Sequence, residues 1–317
     1  MKGIVIMNAY PNGEKFYRQS ERIARALNAA GAEAEVVLNG SLSLFVGADG
    51  RIRGARDCDF AVYLDKDKYL GRMLEKTGLR LFNRAEAVER CDDKMLTYLA
   101  LSESGLCVPE TITAPLCYTP GVKADDRFLA SVAERLSFPL VVKKSFGSFG
   151  KGVRLVYDRE SLKETAQEFL YCPHFYQKYI AESAGRDIRV VVIGGKAVGA
   201  MERRAKAGEF RSNIELGGKG GAVALKEEFR HAAERAASVL GLDYCGVDLL
   251  ESERGPVLCE VNSNAFFEGL EAAAGIDVAK LYGHHAPYGK SLKDRTNGWK
   301  KRLEKELFKA ASENFVL

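Results

Sequence analysis

The chain has 317 residues, 46% of them hydrophobic and 28% charged, with a formal net charge of +4. That length and apolar content can bury a substantial core in two or three lobes and exclude a disordered or fibrous chain. The positive excess is local: residues 289–317 carry eight Lys/Arg against four Asp/Glu, and the remainder balances at 39 to 39, so the body has no basic surplus for nucleic acid.

No stretch approaches the ~20 apolar residues that cross a bilayer, and MKGIVIM is too short for a secretory signal, so a cytoplasmic location without a membrane partner is expected. Seven cysteines, odd in number and scattered without C-x-x-C spacing, read as reduced thiols.

Gly3 to Asn8 is a short apolar run followed by a turn at Pro11–Gly13. A helical pattern from Lys15 to Ala30 places Ile23, Ala26 and Leu27 on one face, and AEVVL follows. FAVYL (60–64), a helix near Tyr69–Lys76 and LRLF (79–82) continue the alternation, predicting a three-layer α/β domain over 1–85. The first turn reads NAYPNG, not G-x-G-x-x-G, which argues against a dinucleotide platform.

A second lobe over 86–180 is predicted from a helix at 85–106, then VPETITA, a helix at 127–136, PLVVKK, GVRLVY, a helix at 162–169 and HFYQKYI. A third, over 181–288, opens with DIRVVVIGGKAVGAMERR turning at Gly194–Gly195, and continues with a helix at 226–240 and a hairpin from Tyr244 to Asn262. The basic tail, 289–317, sets Trp299, Leu303 and Leu307 at i, i+4, i+8. It reads as a helix docking on the protein itself or an oligomer partner, with a membrane surface or nucleic acid as alternatives.

Three segments carry chemistry. In CGVDLLESERGPVLCEVN the period of two sets Glu260 and Asn262 on one face, and a turn near 251–256 lets Asp248 sit opposite Glu260. Two carboxylates and an amide oxygen make a hard, all-oxygen set suited to Mg²⁺; the bland alternative is a solvated sheet face. In VVKKSFGSFGKGV, Lys143 ends a strand before a loop with glycines at 147, 150 and 152. A cation beside clustered backbone N–H groups suits polyphosphate, although the spacing is not that of a Walker A loop. Between them Arg203, Arg204, Arg211 and Asn213 are donor-rich and suggest anion handling.

In this order, Lys94, Lys143, the glycine loop, QKYI, GRDIRVVV, RSN, Asp248 and E-x-N, the chain resembles the ATP-grasp superfamily and most closely the RimK-type α-L-glutamate ligases, over about residues 80–282. The resemblance implies an ATP-grasp fold of α+β lobes behind an α/β pre-ATP-grasp domain. It implies ATP held by Lys94, Lys143, a flexible lid including Gly147, Ser148 and Gly150, the stretch Gln177, Lys178, Tyr179 and Ile180, and by Asp187, Arg211, Ser212 and Asn213. It further implies Mg²⁺, with Mn²⁺ as an alternative, on Asp248, Glu260 and Asn262, and catalytic roles for Lys143 and Arg203.

The implied reaction joins a small-molecule or peptide carboxylate to an amino-acid amine, L-glutamate or a similar one, through an acyl phosphate. A homo-oligomer, dimer or tetramer, is implied as well. A small-molecule kinase on the same fold and a non-catalytic ATP-binding module are the alternatives. Lys144, where relatives commonly have proline, and the bulky Phe149 and charged Lys151 depart from the pattern. Tyr17, Arg18 and Arg84 are further candidates for facing the carboxylate substrate, whereas His174 and His231 read as structural or solvated, and His284 and His285, without other nearby ligand candidates, are weak metal signals.

Overall fold

The computed structural model describes residues 1–11 and 13–286, so the helix read at Trp299–Leu307 lies outside the described residues. The first sheet contains β1 (Lys2–Met7) and, after α1 (Glu14–Ala29), β2 (Glu33–Leu38). A two-stranded ribbon follows, β3 (Phe45–Val46) and β4 (Ile52–Arg53), before β5 (Phe60–Leu64), α2 (Lys68–Lys76) and β6 (Arg80–Phe82). The order is β2-β1-β5-β6, with all neighbours parallel. Residues 3–7 of β1 are all buried, as an unbroken apolar run covered on both faces requires.

The expected helix at 85–106 is two helices, α3 (Ala85–Asp92) and α4 (Lys94–Leu101). Asp93 breaks them: its extended backbone leaves the helical region, and its carboxylate accepts from the N–H groups of Met95 (2.8 Å) and Leu96 (3.2 Å). This cap aims the start of α4, and with it Lys94, at the glycine loop.

The second sheet is formed by β7 (Thr111–Thr113), β8 (Leu140–Lys144), β9 (Val153–Val156) and β10 (His174–Lys178), in the order β7-β10-β8-β9. The helices α5 (Asp126–Leu136) and α6 (Arg159–Phe169) supply Leu129, Val132, Leu162 and Phe169 to a core shared with Leu140, Val142 and Tyr176. Burial of each such side chain contributes about 1.5–3 kcal/mol.

The third sheet, order β13-β12-β11-β14-β15, is antiparallel: β11 (Arg186–Ile193), β12 (Lys196–Arg204), β13 (Lys219–Ala222), β14 (Tyr244–Ser252) and β15 (Gly255–Asn262). Strand β11 reads RDIRVVVI. Val190 and Val192 pack with Phe229, Ala233 and Leu240 of α7 (Glu227–Leu240). On the other face Val191 and Ile193 pack with Val5, Ile23 and Leu27 of the first lobe and with α8 (Glu268–Ala274) and α9 (Val278–His285), while Asp187 and Arg189 remain for polar work. Asn83 pins the first sheet to the third. Its amide donates to the carbonyls of Tyr244 (2.7 Å) and Ser263 (2.9 Å), and its oxygen accepts from the N–H groups of Asp243 (2.7 Å) and Tyr244 (2.9 Å).

Candidate active site

The polar half of the third sheet collects its charges by register. Asp187 pairs Arg203 across β11–β12, Arg189 pairs Asp248 across β11–β14, and Asp248 pairs Glu260 across β14–β15. The last pairing depends on a bulge. The hairpin turn pairs Ser252 with Gly255 and Leu249 with Leu258, a register that would put Cys259 opposite Asp248; the shift after Leu249 brings Glu260 there instead. The carboxylates therefore face each other as the sequence predicts, by a device the sequence does not display.

Asp248 is buried between two arginines. Arg189 donates Nε to Oδ1 and Nη2 to Oδ2, each at 2.7 Å, and Arg203 Nη2 lies 2.8 Å from Oδ2. Arg203, 3% exposed, also donates through Nε (2.7 Å) and Nη2 (2.6 Å) to Asp187, which accepts a hydroxyl bond from Ser212 as well. Burial alone would raise the Asp248 pKa; the arginines reverse this and hold it below the ordinary carboxylate range. Burial works against the Arg203 charge too, but Asp248 and Asp187 outweigh it and push its pKa up.

The glycine loop closes onto this face from the second sheet. Lys94 Nζ donates to the Gly147 carbonyl at 2.7 Å and lies 3.3 Å from Glu260 Oε1, and Lys143 Nζ lies 3.8 Å from Cys259 Sγ. Burial opposes the Lys143 charge, yet Cys259, Tyr98 and Glu260 more than offset it and its pKa rises. Arg211 Nη1 donates to the Gly150 carbonyl at 2.8 Å. At Gly150 φ is +70°, and a Cβ would stand 3.0 Å from Asn213 Oδ1, so this tight, left-handed approach suits glycine.

Two clefts open on the charged face. The first, about 880 Å³, lies between the second and third sheets. It is lined by Lys94, Lys143, Gly147, Gly150, Gln177, Lys178, Tyr179, Ile180, Asp187, Arg211, Ser212 and Asp248, with Val141, Phe210 and Leu250 as apolar walls. The second, about 1280 Å³, lies between the first and third sheets, with Asn8, Phe16, Gln19 and Asp65 on one side and Arg189, Asn262 and Phe266 on the other. Arg203, Asn213 and Glu260 line both, so the clefts meet at the ion network.

Most of the residues singled out in the sequence thus converge on the first cleft or the junction. Ser148 and Asn262 line the second cleft, Ser148 accepting from Lys66 Nζ at 3.2 Å. Arg204 turns away to Glu202 in solvent. Tyr17, Arg18 and Arg84 line neither cleft; Arg18 pairs Glu268 and Arg84 lies 3.7 Å from Glu75. His174 is structural, held by the Cys172 carbonyl (2.9 Å) and the Tyr176 hydroxyl (3.0 Å), with burial lowering its pKa. Arg189 was not anticipated, although its place two residues after Asp187 marks the same strand face.

Among the described residues no group of three or more His, Cys, Asp or Glu is placed to hold a metal ion; the oxygen set consists of two carboxylates and an amide. Within the described residues Asp248 Oδ1 accepts one bond, from Arg189 Nε, and Glu260 Oε2 accepts none; the buried Asn262 Nδ2 has no partner there, and rotation of that amide exchanges its nitrogen and oxygen. These unfinished polar groups fit a hard divalent cation.

Residues 91–282 match the RimK-like ATP-grasp domain. The chain belongs to this family. It is 41% identical over 210 residues to a probable alpha-L-glutamate ligase of Thioalkalivibrio sulfidiphilus, covering 66% of this chain and 67% of that one. It is 38% identical over 222 residues to beta-citrylglutamate synthase B of Danio rerio, covering 69% of this chain and 53% of that protein. With human N-acetylaspartylglutamate synthase A the figures are 37% over 223 residues, 70% and 56%. The chain thus spans about half the length of those synthases.

Among solved structures, a RimK-domain ATP-grasp protein of Sphaerobacter thermophilus superimposes with a TM-score of 0.69 at 20% identity, covering 90% of this chain and 99% of that one. D-alanine–D-alanine ligase of Bacillus anthracis, in complex with ATP, gives 0.67 at 20% identity and 99% coverage of both. These likenesses establish the ATP-grasp fold. The RimK-like match begins at 91, so the wall of the second cleft made by residues 7–20 and 64–66 lies outside the matched region.

Proposed function

We propose that the protein is an ATP- and Mg²⁺-dependent ligase that joins a small-molecule or peptide carboxylate to an amino-acid amine, L-glutamate or a similar one, and releases ADP. The observation that carries this reading is the meeting of two clefts at Arg203, Asn213 and Glu260. A phosphoryl group delivered from the first cleft reaches a carboxylate in the second without leaving the charged face. The names of the relatives, glutamate ligases and glutamate-adding synthases, support glutamate as the amine.

In this reading the adenine lies along Gln177–Ile180, and Lys94, Lys143 and the backbone of the glycine loop receive the phosphates. Asp248, Glu260 and Asn262 would hold Mg²⁺, or Mn²⁺ in its place, which would supply positive charge to offset that of the phosphates. Arg203 is immobilised by Asp187 and Asp248 through Nε and Nη2, leaving Nη1 to face charge developing on the acyl phosphate and the tetrahedral adduct. Such a donor costs no reorganisation when the reaction occurs, and its loss lowers kcat by about 10²–10³. The lid excludes water, which would otherwise hydrolyse the acyl phosphate.

Hydroxylamine tests the reaction class. With ATP, Mg²⁺ and a small-molecule extract of the source cells, a ligase yields an extract-dependent hydroxamate in step with ADP. ADP formed without hydroxamate assigns the acceptor to a hydroxyl and the protein to the kinases.

A further inference from the structure

The tip of the glycine loop carries a residue that its conformation disfavours. Phe149 has φ of 60°, the left-handed region that bulky L-residues rarely adopt and that glycine would enter freely. A conformation of that kind persists where the surroundings over-determine it. Here the surroundings are the first turn of α1. Lys15 Nζ sits 4.3 Å from the Phe149 ring centroid and 4.5 Å from that of Phe266, beside two rings inclined by only 22°, and pairs with Glu215 at 2.9 Å. Phe16 closes the box edge-on against Phe266, with centroids 4.9 Å apart.

We propose that Lys15 and Phe149 are positioning residues that latch the glycine loop shut, with α1 as the strike plate. A half-buried ammonium within 4.5 Å of two ring centroids is attracted by both rings, and Glu215 fixes where it stands. Phe16, Phe149, Glu215 and Phe266 also line the second cleft, so the latch is part of that cleft's wall. One movement of Phe149 therefore uncovers the phosphate side, through Gly147 and Gly150, and the substrate side together. Lys15 and Phe16 lie outside the RimK-like match at 91–282, so closure of the matched domain's loop is governed from the N-terminal lobe. The consequence for turnover rests on the ligase reading; the latch itself does not.

Limited trypsin digestion tests it, with cleavage after Lys151 followed by mass spectrometry on the ligand-free protein. Lys15→Met keeps the aliphatic stem and removes the charge, and Phe149→Leu removes the ring. Each is expected to speed that cut about five- to thirtyfold, while Lys15→Arg and Phe149→Tyr keep wild-type protection and all four keep the wild-type thermal midpoint. Cutting at the wild-type rate in both Lys15→Met and Phe149→Leu overturns the latch; the loop substitution guards against a fold defect at α1. A parallel arm adds Mg²⁺ and the non-hydrolysable analogue AMP-PNP. Faster cutting in the variants with no effect of the analogue on wild type or variants upholds the latch and removes the ligase reading. Slower cutting with the analogue but no effect of the variants does the reverse.

Discussion

Replacing Asp248 with Asn tests the ion network at its centre. The carboxylate is 2% exposed and accepts three charge-assisted bonds, two from Arg189 at 2.7 Å and one from Arg203 at 2.8 Å. An asparagine oxygen retains one acceptor for Arg189, but its NH₂ turns toward the guanidinium donors that Oδ2 now receives. Arg203 keeps Asp187, whereas Arg189 loses its one salt-bridge partner among the described residues. Breaking a buried pair by removing one partner costs about 3–5 kcal/mol. Arg189 retains some contact with water, its side chain being 13% exposed, which puts the expectation at the lower end, about 3 kcal/mol. Urea denaturation of wild type and Asp248→Asn with unchanged slope measures the difference. A loss below about 1 kcal/mol would refute the network as the anchor of this sheet face. It follows that Asp248→Asn is a poor isolated test of metal binding, since it perturbs folding and site together.

Glu260→Gln is the cleaner substitution, because Glu260 is 26% exposed and its one salt-bridge partner among the described residues is Lys94 at 3.3 Å. Turnover should fall at least about 10²-fold with under about 1 kcal/mol of stability lost, and activity near wild type would remove Glu260 from the site. Asn83→Ala deletes four hydrogen bonds between the first and third sheets; a loss of about 3 kcal/mol or more in urea is expected, and under about 1 kcal/mol would show that Asn83 does not join them. Hydrogen bonds from Arg211 depress the Glu209 pKa from 4.5 to about 2, so its stabilisation is complete above 4.5 and is lost as pH falls toward about 2. Glu209→Gln should flatten that part of the stability–pH curve, and an unchanged acid slope would contradict the pairing.

The sequence made the charged strand face legible because alternation survives folding: Asp187, Glu260 and Asn262 sit where a period of two puts them. It did not disclose the bulge at Cys259, since a register shift has no residue signature in GPVLCEVN. The break at Asp93 was readable as a cap but was hidden by apolar periodicity running through both helices. Strand β13, KGGA, lacks any β-forming side chain and exists because β12 offers it an edge. The second cleft was the least legible part. Its walls join residues 7–20 to residues 262–266, and pairs such as Gln19 Nε2 with the Ala265 carbonyl (3.2 Å) are products of packing between lobes. For the same reason Tyr17 and Arg18 were expected to face substrate, whereas the helix turns Phe16 and Gln19 inward.

The central claim, ligation of an amino acid to a carboxylate at the meeting of the two clefts, is tested most directly by mass spectrometry. A small-molecule extract of the source cells is incubated with enzyme, ATP, Mg²⁺ and either light or isotopically heavy L-glutamate. The account predicts ADP together with a new product whose mass shifts by the full label, which also gives the mass of the carboxylate partner. Extract-dependent ADP release with a new product that carries no label from glutamate, or from any other amino acid supplied heavy, would contradict it.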